Sequence, residues 1–274
     1  MGSVRRALVL GGGGIAGIAW ETGVLAGLAQ TGLDVLAADR IIGTSAGSTV
    51  AAQFTSGLPP ADLFARQADP ARQTTELSSG VATEELWVKL QQIAENAGDA
   101  SEQRREMGAM ALAASTVSEE RRREVIAGRL PVHEWPERDL VIVAVNALTG
   151  EPRLFSPGSG VSLVDAVAAS CAVPGVWPCV TIDGVPYMDG GVRTMSNADL
   201  ADGYDRVLVL APLAEPGEPS WAKLDGVVEV VTPDEASLAA SGPDPLDPAV
   251  RTPSARAGLA QGRAAAARIA AMWR

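Results

Sequence analysis

The run Arg6-Ala7-Leu8-Val9-Leu10, Gly11-Gly12-Gly13-Gly14 and then Ile15 to Gln30 decides the fold. The apolar stretch reads as a short buried strand, and the glycines read as a tight loop. Beyond them Ile18, Val24, Leu25 and Leu28 recur at helical spacing, with Gly32 as a stop. Strand, glycine loop and helix open a βαβ unit. A second unit begins at Arg40-Ile41-Ile42. It enters Gly43-Thr44-Ser45-Ala46-Gly47, continues as a small-residue helix from Ser48 to Ser56, and is expected to end at Pro59-Pro60. Further buried strands are expected at Asp139 to Val145, Arg206 to Leu210 and Val227 to Val231. Strands interleaved with helical patterns predict an α/β fold with a mostly parallel sheet and helices on both faces.

Residues from about 60 to 130 read differently. They are charged, helical in pattern and poor in strand signals. Ser118-Glu119-Glu120 marks a helix start and Gly128 lies near its end. The segment is expected to be a helical insertion or cap within a single domain spanning 1–274. Solvated surface helices and a substrate cover fit it equally. A Pro- and Asp-rich connection from Ser241 to Pro253 precedes a last Ala/Arg-rich helix through Trp273.

The 274 residues are 47% hydrophobic and 20% charged, enough to bury a large core, so a disordered chain is excluded. Aromatics are only 4%, so Ala, Val, Leu and Ile must build that core. The net charge of −11 speaks against nucleic acid and against broad electrostatic docking to anionic membranes. A local, apolar and transient contact with a membrane or micelle stays open. No transmembrane span or targeting segment is expected, which makes a cytoplasmic location, in places peripheral to membrane, the default. Cys171 and Cys179 are expected as free thiols, and no cysteine–histidine cluster has metal-ligand spacing. The Arg121-Arg122-Arg123 run, flanked by glutamates, reads as a solvated helix face.

Three elements carry chemistry. The backbone N–H groups of Gly11 to Gly14 can converge on an anion at a helix N-terminus, either a phosphate or the oxyanion of an acyl transfer. Gly12, Gly14 and Gly17 also fit G-x-G-x-x-G, with Asp34 downstream, so a dinucleotide-binding protein is the alternative. Gly43-Thr44-Ser45-Ala46-Gly47 is a G-x-S-x-G between strand and helix, the pattern of a nucleophile elbow projecting the Ser45 hydroxyl. Met188-Asp189-Gly190-Gly191 follows what reads as a strand, a glycine turn and a second strand. On its own it is ordinary turn chemistry. The single histidine, His133, lies between the helical segment and the third strand, and the order Ser, His, Asp differs from the usual hydrolase order.

Together these elements resemble the patatin-like phospholipase family. Ala169-Ser170-Cys171-Ala172-Val173-Pro174-Gly175 with Pro178 looks like a further block of that family, and the four blocks stand in the family's order. The resemblance implies a three-layer α/β/α fold and lipid acyl-ester hydrolysis, without cofactor or metal. It implies Ser45 as nucleophile and Asp189 as general base of a two-residue site. Gly12, Gly13 and Gly14 would form the oxyanion hole, with Gly43, Gly47, Gly190 and Gly191 supporting the two turns. A lipid or other acyl ester is the implied partner, and a non-catalytic lipid-binding protein is the remaining alternative. One departure stands out: many members carry a basic residue just before the last glycine of the first motif, where this chain has Ala16.

Overall fold

A computed structural model describes residues 4–81 and 83–274. Its strands are β1 (Arg6–Leu10), β2 (Arg40–Thr44), β3 (Leu140–Asn146), β4 (Pro152–Phe155), β5 (Val180–Ile182), β6 (Val185–Asp189), β7 (Arg206–Leu210) and β8 (Val227–Val231). Its helices are α1 (Gly14–Gln30), α2 (Ala46–Phe54), α3 (Pro60–Ala68), α4 (Thr83–Asn96), α5 (Ala100–Ala113), α6 (Glu119–Arg129), α7 (Leu163–Ser170), α8 (Glu235–Ser241) and α9 (Arg251–Trp273).

The strands form one mixed sheet in the order β5-β6-β3-β2-β1-β7-β8, with β4 also paired to β3. Strands β3, β2, β1, β7 and β8 run parallel, and β4, β5 and β6 add antiparallel pairings. The inner parallel strands β1, β2, β3 and β7 are buried along most of their length because both faces are covered, whereas edge strand β8 carries Glu229 and is exposed at Val227. Leu8, Leu10, Ile41, Ile142 and Leu208 pack on one side with α1, α2, α7 and α9. Val9, Ile42, Val143 and Val207 point to the other. There a 3-10 turn (Ala198–Ala201) and Trp221 cover the middle of the sheet, and Met107 and Ala111 of α5 pack on Val145. The result is the expected mostly parallel sheet flanked by helices.

Three boundaries differ from the reading of the sequence. Helix α2 begins at Ala46, directly after Ser45, not at Ser48. Pro59-Pro60 does not close a unit but opens α3, where a proline in the first turn forfeits no hydrogen bond. The connection read as Ser241 to Pro253 is shorter, because α9 starts at Arg251 and takes Pro253 into its own first turn. Among the described residues no helix is long and apolar enough to cross a membrane.

Helices α1 and α9 touch backbone to backbone. A Cβ on Gly23 would come within 2.2 Å of Ala255 O, and one on Gly258 within 2.2 Å of Trp20 O. Gly27 and Gly262 repeat the contact one turn further on. Trp20 Nε1 donates to Gln261 Oε1 at 2.8 Å across the same seam. Gly258→Val is therefore expected to destabilise the fold at the upper end of the ~1–3 kcal/mol typical of overpacking. A urea titration checks this: the midpoint should fall with an unchanged slope. A midpoint within error of the parent would show that the two helices can part at no cost.

Candidate active site

Ser45 lies between the last residue of β2 and the first of α2, at the carboxyl edge of the sheet, where open α/β sheets hold their ligands. Its backbone has φ 53° and ψ −114°. A side-chain-bearing residue in that region costs ~1–3 kcal/mol and persists only where the surroundings enforce it. They do so here by contact. A Cβ on Gly43 would stand 2.7 Å from Ser48 Cα, and one on Gly47 2.0 Å from Leu10 O. Only glycine lets the turn close against β1. The Ser45 N–H donates to Ser170 Oγ at 2.9 Å, while its carbonyl accepts from Ser48 Oγ at 2.6 Å and from the Cys171 thiol at 3.1 Å. Ser170 and Cys171 thus tie the end of α7 to the elbow.

Asp189 ends β6 and reaches the same point from the antiparallel part of the sheet. Ser45 Oγ donates to Asp189 Oδ2 at 2.7 Å, and the Gly191 N–H donates to Oδ1 at 2.7 Å. The Asp189 N–H is bonded to Ala172 O at 2.9 Å, so the turn is pinned from both sides. Gly190 presses against β3, where a Cβ would lie 2.3 Å from Val143 O. Ser45 is 8% exposed and Asp189 4%. Burial pushes the Asp189 carboxyl from 3.8 up to about 7, against the opposing effects of the Ser45 and Gly191 hydrogen bonds and the Arg122 charge. A carboxylate with that affinity for a proton suits proton exchange at neutral pH.

The glycine loop stands across from this pair. The Gly12 N–H is engaged, donating to Met195 O at 2.7 Å, and Gly11 donates to Leu210 O. Among the described residues the N–H groups of Gly13 and Gly14 have no partner, so they are the loop's open donors. Gly14 has φ +63°, and a Cβ on it would meet Pro245 O at 2.8 Å and Leu246 Cδ2 at 2.9 Å. Ala16 N–H donates to Pro245 O at 3.0 Å. The chain between α8 and α9 therefore straps the start of α1. Asp34, the acidic residue of the dinucleotide alternative, sits beyond the far end of α1, roughly 25 Å of helix from the glycines. Its carboxylate accepts the N–H groups of Leu36 and Ala37 within its own turn. His133 is exposed beyond the end of α6, its Nε2 bonded to Ala127 O at 3.0 Å, and among the described residues it hydrogen-bonds to neither Ser45 nor Asp189.

Two residues bear on the site that the sequence did not mark as site residues. Asn197, in a left-handed conformation at φ 54°, donates from Nδ2 to Thr44 Oγ1, Gly190 O and Thr194 O. It clamps the residue before Ser45 to the residue after Asp189. Arg122 is the larger correction. The Arg121-Arg122-Arg123 run is solvated only at its flanks; Arg122 is 4% exposed and lies 3.7 Å over the Trp177 ring. Successive helical residues point about 100° apart, so the middle of a charged run can face inward while its neighbours face water. Arg122, Arg129, Cys171, Trp177 and Leu246 wall, with Ser45 and Gly14, a recess of about 20 Å³. That is room for about one water. Cys171 and Cys179 are free thiols, as expected.

The family described as patatin-like phospholipase matches residues 8–202, a stretch holding every residue of the pair, the two turns and the glycine loop. Among solved structures, the crystal structure of VipD from Legionella pneumophila is similar at 13% identity and a TM-score of 0.47, covering 97% of this chain and 67% of its own. No curated protein matches the chain.

Proposed function

The chain belongs to the patatin-like phospholipase family, and from that membership we propose that it hydrolyses lipid acyl esters with Ser45 as nucleophile and Asp189 as general base. The observation that carries the reading is the 2.7 Å hydrogen bond from Ser45 Oγ to a buried Asp189 Oδ2 at a strained elbow. Asp189 takes the hydroxyl proton as Ser45 Oγ attacks the ester carbonyl. The tetrahedral oxyanion is received by the N–H groups of Gly13 and Gly14, and loss of one such donor typically costs ~3–4 kcal/mol. Collapse releases the alcohol with the proton from Asp189 and leaves an acyl-serine. Water, deprotonated by Asp189, then attacks the acyl carbon; the bond from Ser45 Oγ to the acyl carbon breaks, Oγ takes the proton back from Asp189, and the carboxylic acid leaves.

A second cavity of about 260 Å³ lies on the other side of the glycine loop, lined by Gly13, Ala16, Trp20, Trp87, Pro212 and Leu238. Trp87 is 40% and Leu238 60% exposed at its edge. Such an apolar rim suits a local contact with lipid better than a charged docking face.

The test is labelling with an alkyl fluorophosphonate, followed by peptide mapping. The expected result is one covalent adduct, on Ser45. A folded protein that acquires no adduct at any concentration of probe would overturn the hydrolase reading and favour the lipid-binding alternative.

A further inference from the structure

The recess beside Ser45 contains a cation whose hydrogen bonds lead nowhere. Arg122 Nε and Nη1 are buried and have no hydrogen-bond partner. A buried, unpaired guanidinium is expensive, and proteins hold one only where something else repays the cost. Trp177 repays part of it through its ring face. The neighbouring arginines supply none. Arg129 is saturated by a two-pronged pair with Glu76, at 2.9 Å and 2.6 Å, and Arg251 donates to the same carboxylate at 2.6 Å. Asp189 uses both oxygens on Ser45 and Gly191. Burial, with Arg129 close by, pushes Arg122 down to about 9, which leaves it cationic at neutral pH. A chain of net charge −11 thus holds, beside its reactive serine, a cation that feels Glu76 and Asp189 through their charge but hydrogen-bonds to neither from Nε or Nη1.

Building on the hydrolase reading, we propose that Arg122 is a specificity-determining residue that receives an oxyanion of the substrate, a phosphate or a carboxylate, close to the scissile carbonyl. The planar fork of Nε and Nη groups matches two oxygens of such a group. Arg122 reaches, from α6, the recess that Gly14 of the glycine loop and Ser45 also line. Binding such a group requires a wall of the recess, such as the Leu246 side chain, to give way, since about 20 Å³ admits no more than a water. Esters that carry a nearby anion gain a charge-assisted pair that neutral esters lack, worth about tenfold to a hundredfold in selectivity.

The experiment compares acyl release from three monomeric esters with identical acyl chains. They are dihexanoylglycerol, its phosphomethanol diester and its hemisuccinate. Measured near pH 8, where Asp189 is ionised and Arg122 is still cationic, the wild-type chain should show a higher kcat/KM for one or both anionic esters than for the neutral one. The two anionic arms tell phosphate from carboxylate. Arg122→Gln should cut the anionic-to-neutral ratio tenfold or more, and Arg122→Lys should hold an intermediate value. A residue with only a structural role would lower all three substrates together and leave the ratio unmoved, which overturns the proposal. Should Arg122→Gln not fold, the wild-type ratio decides alone: a value near one also overturns it. Turnover of all three esters with no anion preference counts against Arg122 only. No turnover and no adduct on Ser45 counts against the hydrolase reading.

Discussion

Asp189→Asn is expected to lower kcat/KM on a soluble ester about ten-thousandfold while making the protein more stable. The first half follows from the proposed chemistry. The amide keeps the shape and can still accept the Gly191 N–H, but it cannot take the Ser45 proton. In a Ser-His-Asp hydrolase, the same exchange at an aspartate that only orients the base already costs about 10⁴ in kcat. The second half follows from linkage. The folded chain holds the Asp189 proton far more tightly than the unfolded chain, because burial raises the carboxyl from 3.8 to about 7. Stability is therefore fully present below pH 4, falls as pH climbs towards 7, and is level above that. At about 1.4 kcal/mol per pH unit the loss approaches ~4 kcal/mol. The amide carries no such penalty. Urea midpoints of parent and variant should agree at pH 4 and separate by pH 8, with the variant higher. The parent's kcat/KM should rise tenfold per pH unit up to about 7 and then flatten. A flat profile between pH 5 and 8, or an active Asp189→Asn protein, would remove Asp189 from the role of base.

Glu76→Ala is expected to carry the largest stability loss, about 3–5 kcal/mol. Glu76 joins three parts of the chain: the stretch after α3, Arg129 at the end of α6 and Arg251 at the start of α9. The side chains of Arg129, Glu76 and Arg251 are 5%, 1% and 4% exposed. Removing the carboxylate strands two buried cations. Burial alone would raise the Glu76 carboxyl, but Arg129 and Arg251 hold it below the usual carboxylate range. The stabilisation it provides is thus present above that range and is lost as pH falls through the lowered value. Thermal unfolding at pH 7 measures the loss. The gap between parent and variant should narrow in strong acid. A midpoint unchanged at pH 7 would show that the two arginines find other partners.

Much of this was legible in the sequence, for physical reasons that differ by element. Strand β7 stands where its apolar run puts it, because a strand covered on both faces has no solvent side to blur its ends, and the edge strand β8 was legible from its run of valines. Ser45 and Asp189 were visible because their turns require glycines at fixed offsets. The two prolines at 59 and 60 misled, since proline is as much at home in the first turn of a helix as after its last. Gly12 shows the limit of reading a loop by composition: four glycines are alike in sequence, and only the Met195 carbonyl decides which N–H is engaged. Arg122 was hidden because charge predicts exposure unless an aromatic face and a reactive recess wait beneath it. Glu76 was hidden because its partners lie 53 and 175 positions away.

The glycine-to-backbone seam between α1 and α9 has a consequence for synthesis. Gly23 meets Ala255 and Gly27 meets Leu259, so the first helix finds its permanent neighbour only after more than two hundred further residues have been made. Contacts of such sequence separation close late. Until then the glycine loop lacks both the helix that seats α1 and the Pro245 strap that caps it. On the proposed chemistry, a growing chain would carry Ser45 long before it could seat the glycine donors that Ser45 needs.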